Sequence, residues 1–136
     1  MRWPFTFYQA TLGGNTAGYS KMGVIVIRSD LRDNEAVYQH ELVHVRQWLW
    51  ISILGAPAYV WLHLLGFAQW ENAALLSVLV HPVLYTVSAL FRQWAEVSAY
   101  RAQVSYGASI ESCATSLSRD YGLKISEYQA LALLTK

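Results

Sequence analysis

Two long stretches without a charged residue constrain this 136-residue chain more than any other feature. Residues 47–70 contain no Asp, Glu, Lys or Arg, and after Glu71 the same is true of residues 72–91. Each stretch is long enough for a helix that crosses the hydrocarbon core of a bilayer, which takes about 20 residues. The pattern therefore predicts a helical hairpin over residues 47–91, with kinks at Pro57 and Pro82.

The distribution of Trp, Lys and Arg fits a hairpin in a membrane. Trp side chains are typical of the membrane–water interface. Trp48 and Trp50 lie at the start of the first stretch, Trp61 and Trp70 toward its end, and Trp94 just after the second stretch. All ten Lys and Arg residues precede the first stretch or follow the second. The positive-inside tendency then places both termini and any site beside them on the cytoplasmic side of an inner membrane.

The alternative is a soluble cytoplasmic domain that buries both helices. A chain of this size has little room to bury two such helices on every face, which favours the membrane hairpin. The composition agrees, because hydrophobic residues make up 54% of the chain and charged residues only 14%, against about 25% in ordinary soluble domains. The net charge of +1 provides no field that would attract nucleic acid, so no nucleic-acid partner is expected.

The rest of the chain predicts a single, mainly α domain over residues 1–136 with a small β element, an α+β arrangement. Residues 1–30 form the β element, with a turn at 13–15 and a β-branched strand over 22–27. A helix over about 33–50 follows, for which Ser29-Asp30 offers an N-cap. Residues 92–136 continue as a return helix and two short helices over 110–118 and 125–134. The single Cys113 excludes an internal disulfide and is expected to be a buried, inert thiol.

A candidate metal site lies on the helix before the hairpin, where residues 40–44 read His-Glu-Leu-Val-His. Positions i and i+4 share one helix face, so His40 and His44 can hold one ion. Glu41 can reach a water on that ion without ligating it, as a general base must. Zinc favours such nitrogen ligands and lowers the pKa of its bound water to about 7. The bland alternative is two incidental histidines beside a solvent-facing Glu.

A hydrolytic zinc site takes three protein ligands and keeps one position open. Residues 45–50 supply no further ligand, and few carboxylates follow. Glu71 would sit at the far tip of the hairpin, whereas Glu96 lies just past its return, on the same side as His44. The hairpin therefore selects Glu96 as the third ligand.

These residues carry a resemblance to a known group of enzymes. The run 40–47, HELVHVRQ, followed by EVSAY at 96–100, resembles the gluzincin zinc metallopeptidases, above all small members with an HELxHxxQ helix and a later ExxA helix. The resemblance spans roughly residues 15–105, although only about a dozen positions carry it. It implies a zinc-dependent peptidase, more an endopeptidase than an exopeptidase, with a peptide or protein substrate. It also implies an edge strand above the site that pairs with the substrate. Residues 22–27 match that strand, with Gly23, Val24, Ile25 and Val26 as the substrate-binding residues.

One position departs from the family pattern. Four residues after the glutamate ligand, thermolysin-like members have an aspartate that orients a zinc-bound histidine, whereas this chain has Tyr100. Tyr100 is expected either to take over that hydrogen bond or to polarise the substrate carbonyl. Gln47, on the face of His40 and His44, is expected to support a ligand from the second coordination shell or to be an interfacial polar residue. His63 and His81 are expected to hydrogen-bond a neighbouring helix or to line a proton or substrate path.

Two other classes of function stay open at this point. One is a non-catalytic membrane sensor or partner-binding protein that zinc stabilises, and the other is a membrane scaffold without metal. A latent enzyme whose cleft is filled by its own terminus is a further alternative. The sequence determines neither the physiological substrate nor the oligomeric state.

Overall fold

The computed structural model of the chain describes residues 2–3, 5–13, 16–66 and 73–136. The fold is mainly helical with one small sheet, as the sequence predicts. Its elements are β1 (Thr6–Gln9), β2 (Gly18–Lys21), β3 (Val24–Arg28), α1 (Glu35–Leu64), α2 (Ala73–Val87), α3 (Ala89–Ser105), α4 (Ile110–Arg119) and α5 (Glu127–Leu134).

The sheet has the strand order β1-β3-β2, with β1 parallel and β2 antiparallel to the central strand. The β-branched residues of the central strand, β3, are buried on both faces of the sheet, which suits a central position. The strand begins at Val24, because Met22 and Gly23 have positive φ angles of 48° and 82° and form the tight turn from β2. The prediction that residues 22–27 form an edge strand is therefore wrong. The edge strand on this side is β2.

Helix α1 is a single helix of 30 residues that joins the predicted metal-bearing helix to the first arm of the hairpin. The side chain of Asn34 caps it by accepting a hydrogen bond from the Val37 amide at 3.1 Å. The predicted cap at Ser29-Asp30 is wrong, since Ser29–Leu31 is a separate 3-10 turn. Pro57 lies inside α1 without ending it.

The second arm of the hairpin is divided in two. Helix α2 ends at Val87, and Ser88 starts α3 by accepting a hydrogen bond from the Phe91 amide at 3.2 Å. The predicted tip at Glu71, with Trp70 beside it, lies outside the described residues, as do Gly14 and Asn15 of the predicted turn. Within the part of the chain that is described, no helix has both the length and the apolar character needed to cross a membrane, so the two predicted spanning helices are not found.

Two apolar clusters hold the fold together, one on each side of α1 and α3. The first packs the sheet against the N-terminal half of α1 through Ile25, Ile27, Val37, Tyr38 and Val45. The second joins α3 to the short helices α4 and α5, which lie where they were predicted, and includes the free, buried Cys113. Because α3 packs against both α1 and α4, its middle turns are fixed beside the HExxH helix.

Candidate metal centre

The predicted ligands His40, His44 and Glu96 meet between α1 and α3. Nε2 of His40 lies 3.6 Å from Oε2 of Glu96, and Nε2 of His44 lies 3.4 Å from Oε1 of the same carboxylate. One ligand atom from each residue falls within 4.8 Å of the others. Two imidazoles one helical turn apart thus face a single carboxylate from a second helix, as the sequence predicted.

Burial sets the protonation of this group. Burial, followed by the charge of His44, lowers the pKa of His40 to about 4, so that this imidazole is neutral at pH 7. Burial alone would raise the pKa of Glu96, but the hydrogen bond and the charge of His44 bring it below its usual value. Burial likewise works against a charged His44, yet its contact with Glu96 raises the pKa of His44. The carboxylate is therefore ionised, and it requires positive charge beside it.

Gln47 determines which nitrogen of His44 faces the carboxylate. Its amide nitrogen donates to the Ala95 carbonyl at 3.2 Å, and its amide oxygen lies 3.1 Å from Nδ1 of His44. Since a carbonyl can only accept, the amide oxygen must face the imidazole, and Nδ1 of His44 must carry a proton to donate. In the neutral ring Nε2 then has a free lone pair directed toward His40 and Glu96. This is the tautomer that a metal ligand requires.

Replacing Gln47 by Leu is therefore expected to weaken the binding of a metal ion, assayed with zinc, by about 10–100-fold, the usual effect of removing a partner that orients a histidine ligand. Competition with a chromophoric chelator measures the affinity. Gln39→Leu, on the exposed part of the same helix, is the matched control and is expected to leave the affinity unchanged. Equal affinities of Gln47→Leu and wild type would show that Gln47 only fills space.

Glu41 lies beside the ligands and under the edge strand β2. Its side chain is buried, and burial raises the pKa of Glu41 to about 7, with His44 acting in the opposite direction. The Gly18 backbone approaches it closely, since a Cβ atom there would lie 3.3 Å from Oε1 of Glu41 and 3.0 Å from the Val26 carbonyl oxygen. Glu41 is thus a carboxylate placed between the histidines and a strand edge, with a pKa suited to proton exchange near pH 7.

Among the described residues, the contacts of Tyr100 include no hydrogen bond to His40 or His44. Its other predicted role, contact with a substrate carbonyl, stays a prediction. Its ring packs edge-on against the His40 ring, with 4.5 Å between centroids, and its hydroxyl lies 3.0 Å from the hydroxyl of Tyr121. Tyr100 is not among the residues that line the cleft above the ligands, whereas Tyr121 is. Tyr100 therefore supports the ring of His40 by packing, and its hydroxyl forms a hydrogen bond with the hydroxyl of Tyr121.

Three polar residues at the centre were not predicted from the sequence: Tyr85, Tyr121 and Gln103. The Tyr85 hydroxyl donates to Oε1 of Glu96, and Tyr121 lines the cleft. Nδ1 of His40 has no partner of hydrogen-bond geometry among the described residues, but the side chain of Gln103 is near enough to raise the pKa of His40 against the larger effect of burial. Only Gln103 had a sequence signal, because it follows Glu96 by seven residues, or about two helical turns.

The cleft over the ligands has a volume of about 340 Å³ and lies between β2, α1 and α2. All of β2 lines it, together with Met22 and Gly23 of the following turn. Of the predicted substrate-binding residues only Gly23 reaches the cleft; Val24, Ile25 and Val26 belong to the central strand, and Ile25 is fully buried. His81 lines the opposite wall and stacks on Tyr85 at 6.3 Å between ring centroids.

Comparisons of the chain with protein-family models, with curated proteins and with solved structures found no match.

Proposed function

We propose that this protein is a zinc-dependent peptidase in which His40, His44 and Glu96 bind the metal and Glu41 is the general base. The observation that carries the proposal is the convergence of two imidazole nitrogens and one carboxylate beneath a cleft. A second carboxylate lies next to them and a strand edge borders the cleft. The resemblance to gluzincins suggested by the sequence has the same residues in the same roles.

The donor set suits a divalent cation. Two imidazoles, which bind a metal ion in their neutral form, and one carboxylate are the ligands of a hydrolytic zinc site that keeps a position open. The ion-pair partners of Glu96 among the described residues are the two histidines, and Oε2 of Glu96 is buried without a hydrogen bond. A cation at this point would neutralise Glu96 and would also favour the ionised form of the buried Glu41, whose pKa burial raises to about 7.

Zinc at this point would act as a Lewis acid that polarises the scissile carbonyl and lowers the pKa of water to about 7. Glu41 has the position and the pKa to take a proton from that water and to give it to the leaving amine. Tyr85 holds one oxygen of Glu96 through its hydroxyl, and Gln47 holds His44. The ligands are thereby oriented before any substrate arrives.

We assign to the edge strand β2 the substrate-binding role that was predicted for residues 23–26. An extended peptide can add to such an edge through main-chain hydrogen bonds. Ser20 and Lys21 lie on the strand beside the cleft, so a peptide paired there would pass over Glu41. Because strand pairing uses an internal segment and requires neither chain terminus, it favours an endopeptidase.

The purified protein is expected to contain about one zinc ion per chain and to cleave members of a fluorogenic peptide library. Removal of zinc with 1,10-phenanthroline should abolish cleavage, and added zinc should restore it. Metal analysis and the cleavage assay together separate the three classes of function. Bound zinc without cleavage would indicate a non-catalytic zinc protein or a latent enzyme, and absence of zinc would indicate a scaffold without metal.

A further inference from the structure

A large set of apolar side chains is exposed on α1, α2 and the first turns of α3. On α1 and its cap they are Trp50, Ile53, Leu54, Val60, Trp61, Leu62, Leu64 and Leu65, and on the other two helices they are Val83, Leu84, Val87, Leu90 and Trp94. We refer to these thirteen residues as the apolar surface. Five of them lie within residues 60–65 and are therefore neighbours on the end of α1. Contiguous exposed apolar patches are rare on monomeric soluble proteins and mark a binding surface.

The arrangement of the apolar surface on α1 favours a fluid partner. Val60, Trp61 and Leu62 are consecutive, and all three are exposed, by 38%, 67% and 47%. Consecutive residues of an α-helix advance by about 100°, so these three span about 200° of the helix circumference. A second copy of the chain or another rigid protein would cover one side of the helix, whereas lipid can enclose both.

The charges at the border of this surface fit phospholipid headgroups. Between Arg46 and Arg92 the sequence contains a single charged residue, Glu71, which lies outside the described residues. Arg46 is exposed and lies one turn before Trp50 on the same side of α1. The Arg92 guanidinium donates to the carbonyls of Tyr85 and Thr86 where α2 ends, close to the exposed Leu90. Arginines beside an apolar surface, with Trp side chains within it, are typical of contact with an anionic bilayer.

We propose that the apolar surface inserts into a bilayer containing anionic phospholipid. Helices α1 and α2 carry both this surface and walls of the cleft, including Trp48 and Pro82. Insertion therefore holds the cleft beside the membrane. This proposal stands independently of hydrolysis, and it concerns where the site works.

Flotation with vesicles of phosphatidylcholine and phosphatidylglycerol tests the proposal. The full-length protein, purified in mild detergent and then freed of it, is expected to float with the vesicles and to remain bound in high salt. Trp50→Glu combined with Trp61→Glu should reduce the floated fraction by about tenfold or more, because charged side chains partition poorly into the apolar phase. Tyr128→Glu, a matched change at a residue of α5 that is 81% exposed, should float like wild type.

Circular dichroism of each variant verifies that it is folded, and Glu41→Gln is expected to float like wild type. Failure of the peptidase assay would therefore leave this result unaffected.

Two outcomes would overturn the proposal. One is a protein that stays at the bottom of the gradient and elutes as a dimer or larger oligomer, which would mean that another copy covers the apolar surface. The other is complete release by high salt, which would mean that the arginines alone bind the vesicles.

Discussion

Glu41→Gln is expected to slow peptide cleavage by about 10²–10⁴-fold, the usual contribution of a general base, while zinc stays bound. Gln has nearly the shape of Glu, so it can occupy the space beneath β2 where the Gly18 backbone approaches within contact distance. It cannot accept a proton from water or deliver one to the leaving amine. Cleavage rate and zinc content are measured on the same preparation.

The matched control for this variant is Glu35→Gln. It makes the same chemical change in the first turn of the same helix, where the carboxylate is exposed and bonds to Gln39. Its activity should equal that of the wild type. Undiminished cleavage by Glu41→Gln would rule out Glu41 as the base. In that case His81, an imidazole that also lines the cleft and is not a predicted ligand, becomes the candidate.

The candidate metal ligands could be predicted from the sequence because two features of it select them. Helical periodicity brings His40 and His44 onto one face, and the scarcity of carboxylates after residue 47 leaves Glu96 as the acidic residue that a returning hairpin brings back to them. The structure places all three together. The start of α1 at Glu35 follows equally from local signals, although the cap is Asn34 rather than Ser29.

The strand that we propose to bind substrate could not be predicted from the sequence, since its position depends on strand order. The β-branched residues 24–27 indicate a buried strand but not which neighbours pair with it. Here β1 occupies one edge of β3 and β2 the other, so the exposed edge belongs to the weakly patterned Gly18–Lys21. Tyr85 lies eleven residues before Glu96 on a different helix. The two side chains can meet only because the chain changes direction at Ser88, between α2 and α3. No periodicity along one element contains that contact.

The structure differs from the membrane prediction in the length and apolar character of the described helices, but it does contain many exposed apolar side chains. Charge-free composition indicated that part of the surface avoids water. The structure locates exposed apolar side chains on α1, α2 and α3, including Leu64 at 71% and Leu90 at 81% exposure. The sequence could not separate these from residues that pack between the helices, because α1 is apolar around much of its circumference.

Glu96→Gln is expected to remove zinc, and with it the stability that zinc confers. The variant keeps the shape of the side chain but loses the negative charge that both histidines face. The affinity should fall by more than the 10–100-fold typical of losing an outer partner such as Gln47. With free zinc at about 1,000 times the wild-type Kd, wild type should gain about 4 kcal/mol in the free energy of unfolding, and a variant that binds more than 100-fold more weakly should gain less than about 1.5 kcal/mol at the same concentration.

Thermal unfolding with and without zinc measures this difference, and Glu111→Gln on the exposed start of α4 is the control that should keep the full gain. The effect should be global because the ligands come from two helices. His40 and His44 belong to α1, which packs on the sheet, and Glu96 belongs to α3, which packs on α4 and α5. Zinc would therefore link the two apolar clusters of the fold. A zinc-dependent gain that persists in Glu96→Gln would show that the third ligand is a different residue.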